Sequence, residues 1–85
     1  MKKINDLKLY ALYDRKSGQY GQPIVQTNHD TAKRYFMYVM AKAESEIYRY
    51  DMELACIGDY DPSSGLITPL DKPEYICDFT TGGDE

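Results

Sequence analysis

The sequence has no tryptophan, one histidine (His29) and two cysteines, Cys56 and Cys77. One imidazole and two thiols fall short of a zinc ligand set, so no metal centre is expected. A reducing compartment keeps such a pair as thiols, and both are read as free residues within strands. No apolar run approaches the roughly 20 residues of a membrane-spanning helix. The Met-Lys-Lys start lacks the apolar stretch of a signal peptide. A cytoplasmic location away from any membrane is the expectation. No serine or cysteine sits in a nucleophile motif, and Gly18 and Gly21 have neither GxGxxG spacing nor a Walker lysine. These absences point away from an enzyme and from any cofactor.

A basic excess is missing too. The formal charge is −4, which argues against general affinity for nucleic acid, because neutralising phosphates drives nonspecific binding. The distribution is uneven: residues 1–43 carry eight cations against three acids, and residues 44–85 carry two against eleven. The two halves either interleave on folding or leave a basic patch beside an acidic one.

Tyrosine is abundant, with nine in 85 residues. Residues 8–23, KLYALYDRKSGQYGQP, compress a strand, a polar turn and the entry to a second strand into one stretch. Leu9, Ala11 and Tyr13 alternate with Tyr10, Leu12 and Asp14, the period of a strand apolar on both faces. Residues 14–18 form the turn, and Ile24 and Val25 belong to the second strand. Asn28 then reads as a helix N-cap with Asp30 near the positive end of the dipole, and His29 as a solvated residue at that start. The helix is predicted to reach Ser45 or even Tyr48. Ala32, Tyr35, Phe36, Val39, Met40, Ala43 and Ile47 recur at spacings of three and four, one core-facing stripe. Residues 53–60 make a third strand, and Asp61-Pro62-Ser63-Ser64-Gly65 a tight turn in which Asp59 and Asp61 serve turn chemistry rather than a metal. Residues 66–68 return as a fourth strand stopped by Pro69. Residues 74–79 supply a fifth strand or a strap.

The order β-β-α-β-β describes an α+β domain, an antiparallel sheet of four to five strands with one amphipathic helix on one face. Residues 1–85 form a single small domain, with residues 80–85 a flexible polar tail. A chain this short has little core, so a homodimer is an expectation, with tyrosines on the uncovered sheet face or at the interface.

The segment 8–23, the helix after it and Leu54-Ala55-Cys56-Ile57-Gly58-Asp59-Tyr60-Asp61 together resemble the small non-structural protein of gokushovirus-like Microviridae, phages with single-stranded DNA genomes. The resemblance runs from about residue 8 to residue 70. It implies a role in the viral DNA cycle, since such proteins are described as DNA-binding or likened to the microvirus protein that turns replication toward single-strand synthesis and packaging.

Single-stranded nucleic acid is bound by rings that stack on bases and cations that follow phosphates. Lys8, Tyr10, Tyr13, Arg15, Lys16 and Tyr20 gather those residue types around the first hairpin, and Lys33, Arg34, Tyr38 and Lys42 repeat them on the helix. Solvated cations beside core tyrosines are the ordinary alternative in both places. Two functional readings follow: weak binding of single-stranded DNA, or a homodimeric module that docks on a host or viral replication protein without touching nucleic acid.

Overall fold

A computed structural model describes residues 7–42 and 50–79. Five strands and one helix follow in the order β1 (Leu7–Asp14), β2 (Gln19–Tyr20), β3 (Ile24–Gln26), α1 (His29–Ala41), β4 (Met52–Asp61) and β5 (Leu66–Asp78). All pairings are antiparallel in the order β2-β1-β4-β5, and β3 shares the outer edge of β1 with β2. The α+β class and the placement of one helix on one sheet face are as expected from sequence.

Both hairpins turn in the same way. In each, an aspartate opens the turn and a glycine closes it in the left-handed region, Gly18 at φ 72° and Gly65 at φ 79°. The glycine N–H donates to the aspartate carbonyl at 2.7 Å in both turns. The aspartate carboxylate accepts the backbone N–H two residues on, from Lys16 to Asp14 and from Ser63 to Asp61, at 2.9 Å. Asp-x-x-Ser-Gly is thus used twice, because the carboxylate satisfies the turn amides and only glycine takes positive φ without strain.

Two strands depart from expectation. The second predicted strand is interrupted: Tyr13 pairs with Tyr20 but Tyr10 with Ile24, so one extra residue lies in the outer strand. Pro23 has no N–H to give a ladder and sits within this break, and Gly21 donates instead to the Leu12 carbonyl at 2.8 Å. Pro69 does not end a strand, for it pairs with Gly58 inside β5. The next pairs upstream on β4 are Cys56 with Glu74, so residues 70–73 bulge out. An edge strand accommodates both Pro69 and Pro73, since among the described residues no further strand needs their missing N–H.

The helix begins as predicted. Asn28 caps it, its side-chain oxygen accepting from the Thr31 N–H at 2.9 Å while the Thr31 hydroxyl oxygen accepts from the Asn28 N–H at 3.2 Å. It ends at Ala41 with Lys42 as C-cap, short of the predicted Ser45 or Tyr48, and no glycine or proline in the sequence marks that stop. Residues 43–49, with Ala43 and Ile47, and the tail at 80–85 lie outside the described residues.

The core forms where α1 meets the sheet. Ala32, Phe36 and Met40 pack on Tyr10, Met52, Leu54, Cys56 and Cys77. Val39 is half-buried as predicted, but Tyr35 is exposed, and Met37 joins the core fringe in its place. Both cysteines are free and buried. Paired residues share a face, so the sheet surface away from α1 carries Tyr20, Tyr13 and Glu53, then Ala11, Ala55 and Tyr75, then Val25 and Leu9, then Leu7, Tyr60 and Ile67.

Candidate nucleic-acid interface

The cluster proposed around the first hairpin comes apart once folded. Tyr10 is 0 % exposed and belongs to the core. Its ring meets His29 edge-on, and its hydroxyl lies 2.7 Å from His29 Nδ1. No base can stack on it. The alternation of β1 places Tyr10 and Tyr13 on opposite faces, and only one face is covered by the helix. Burial pushes the Tyr10 phenol well above its ordinary value. His29, expected to be solvated, is half-buried and tied to this hydroxyl, with Nε2 3.8 Å from Glu74.

Lys8 donates to Asp59 Oδ1 at 2.9 Å, and that bond raises its pKa. Arg15 is engaged on all sides. Its guanidinium donates to the Tyr50 carbonyl at 2.6 Å and reaches Glu53 and Asp78, each at 3.4 Å. It therefore fastens the first turn to β4 and β5 instead of standing free for a phosphate. Lys16 is exposed at the tip and, among the described residues, forms no ion pair. Tyr13 and Tyr20 pair across the strands with centroids 4.7 Å apart, so each ring already has a partner.

The helix cluster divides differently. Arg34, Tyr38 and Lys42 follow at intervals of four along the solvent side of α1, and neighbours at that spacing meet on a helix surface. Tyr38 is 61 % exposed, and Lys42 Nζ lies 5.2 Å from its ring centroid, within cation–π range. Among the described residues neither Arg34 nor Lys42 forms an ion pair. Lys33 does not join them. At 3.6 residues per turn it lies about 140° around the helix from Tyr38, on a flank close enough to Cys77 for its charge to act on that thiol.

Sequence reasoning placed Tyr35 in the core, yet it extends this ridge. One turn before Tyr38 and 38 % exposed, it forms a wall of a cavity of about 220 Å³ with Leu12, Gly21, Gln22, Ile24 and Met52. The missing signal was the break between β2 and β3, which opens the sheet edge beneath Tyr35 and could be suspected only from Gly21 and Pro23.

Among the described residues no group of three or more histidine, cysteine, aspartate or glutamate side chains could hold a metal ion. No described helix is long and apolar enough to cross a membrane. Residues 7–81 match the family model described as phage ORF5 protein. No curated protein and no solved structure matches the chain.

Proposed function

Because the chain belongs to the phage ORF5 protein family, we propose that it is a non-enzymatic, non-structural protein that binds single-stranded DNA weakly and serves genome replication and packaging in a gokushovirus-like member of the Microviridae. It acts in the host cytoplasm and needs no cofactor. The observation that carries this reading is the helix ridge, where Arg34 and Lys42 have no acidic partner among the described residues and flank the exposed Tyr38 ring. Cations without an acidic partner beside an exposed aromatic ring supply the two interactions by which single strands are held. The net charge of −4 limits the strength, since the rest of the molecule repels phosphates.

Fluorescence anisotropy of a labelled single-stranded oligonucleotide at two salt concentrations tests it. Affinity falls with salt, and Arg34→Ala with Lys42→Ala lowers the slope of log K against log salt by about 1.4, or 0.7 per phosphate contact. An unchanged slope in the folded double variant would remove the ridge from the interface.

The sheet face away from α1 favours a second reading. Tyr20, Val25, Ile67 and Tyr75 are exposed on it, while Leu9, Ala11 and Ala55 are buried, and the acids in its paired rows, Glu53 and Asp78, are bridged by Arg15. Such a face suits a second copy of the chain, giving a homodimer that docks on a replication protein without contacting DNA. Light scattering that finds only monomer at micromolar concentration counts against this reading.

A further inference from the structure

The cavity at the foot of the ridge lies beside the only exposed ring-and-cation stripe on α1, and we propose that it receives one unstacked base of the bound strand. The inference rests on the reading of the ridge as the DNA contact and adds a base-specific subsite to it.

Four observations carry it. At about 220 Å³ the cavity is smaller than the roughly 300–1,000 Å³ of sites for drug-sized ligands, which suits a single ring system. Its lining includes Tyr35, Leu12, Ile24 and Met52, a mainly apolar set that suits a flat apolar face. Gln22, also in the lining, is exposed and offers one acceptor and two donors, the kinds of group that read a base edge. Tyr35 is one helical turn from Tyr38, so a strand whose phosphates meet Arg34 and Lys42 passes the opening. Those unpaired cations favour a polyanion over the apolar side chain of a protein partner.

Gly21 adds a further argument. Its φ is not in the left-handed region, and a Cβ there would meet only the Leu12 carbonyl oxygen at 3.7 Å, an ordinary contact. The fold does not require glycine at this position. What the missing side chain preserves is room in the cavity.

The test is an NMR titration of the ¹⁵N-labelled full chain with thymidine 5′-monophosphate, with an oligothymidylate of about ten nucleotides, within the usual span of a single-strand site, and with the matching abasic strand. Shifts at Gly21, Gln22 and Ile24 with the nucleotide, lost in Gly21→Leu, are expected. Tyr35→Ala should weaken oligothymidylate binding by roughly 5- to 150-fold, the range of one base–aromatic stack, while leaving abasic binding unchanged. Melting of both variants is recorded alongside. If Gly21→Leu does not fold, the half-exposed Tyr35→Ala decides alone. Equal binding of the abasic and thymidylate strands overturns the base subsite while the ridge stands. Nucleotide shifts at the cavity without strand binding uphold the subsite and overturn the ridge. No shift with any of the three overturns both.

Discussion

Replacing Gly58 by alanine tests the account of the β4–β5 bulge most directly. A Cβ at this position would lie 2.7 Å from the Thr68 carbonyl oxygen, 3.1 Å from Pro69 Cα and 3.3 Å from the Thr68 carbonyl carbon. All three are backbone atoms, so no rotamer change relieves the overlap, and β5 must move away from β4 where Gly58 pairs with Pro69. Forcing a methyl group into a filled site costs about 1–3 kcal/mol. Loss of glycine from the unfolded chain offsets this by about 0.4–1 kcal/mol. The net expectation is about 1–2 kcal/mol of destabilisation, which for a domain of this size lowers Tm by about 4–16 °C. Urea unfolding and calorimetry measure the change, and amide exchange should speed up most in residues 66–68, beyond the forced contact. Gly21→Ala is the control, since its Cβ has space and the variant should be neutral or slightly stabilised. A Gly58→Ala protein as stable as the parent would show that the close approach of the two strands is wrong.

Phe36→Ala empties a fully buried site and should cost about 3–5 kcal/mol, an effect that equilibrium unfolding would miss only if the helix packs by another face. Arg15→Ala removes the bond to the Tyr50 carbonyl and two ion pairs; a loss of about 1–2 kcal/mol in chemical unfolding is expected, whereas a merely solvated turn cation would leave stability unaltered. Alkaline conditions should destabilise the fold. Burial raises the pKa of the Cys56 and Cys77 thiols and of the Tyr10 phenol, so the folded state keeps protons that the unfolded chain releases, and stability present at neutral pH declines as pH rises from about 8.5 past 10. Lys8 acts in the same direction, since its ion pair with Asp59 holds its proton to higher pH. Unfolding free energies equal at pH 8 and pH 10 would contradict this burial.

Local chemistry in the sequence reports the parts of the fold that depend on neighbours in the chain. Asn28 before His29 and Thr31 marks the helix start, and the turns at Gly18 and Gly65 are visible as aspartate-to-glycine segments. The spacing of Ala32, Phe36 and Met40 shows the buried helix face. What depends on partners distant in sequence is hidden. Pro69 reads as a strand end because the pattern does not show that β5 is an edge, nor that four residues would bulge opposite one. Arg15 reads as a free cation because Tyr50, Glu53 and Asp78 come to it only through the sheet. Tyr10 and Tyr13 share a strand and a residue type, and their different fates follow from which face α1 covers. In the same way Tyr35 fits the helical stripe by spacing, but the break at Pro23 withdraws the surface it would have packed against.

The bulge at residues 70–73 also separates the long hairpin into two mechanical parts. On one side, Leu54 and Cys77 are clamped under the helix; on the other, residues 62–73 are exposed throughout. The outer part is held on its β4 side, where residues 58–60 pair with β1, while its turn and β5 side stay outside the core as an outrigger. Its Ser63-Ser64 tip is the natural graft point for a fluorophore, an affinity tag or a short peptide, because an addition there would hang from an arm that the helix and the cavity beneath Tyr35 do not use.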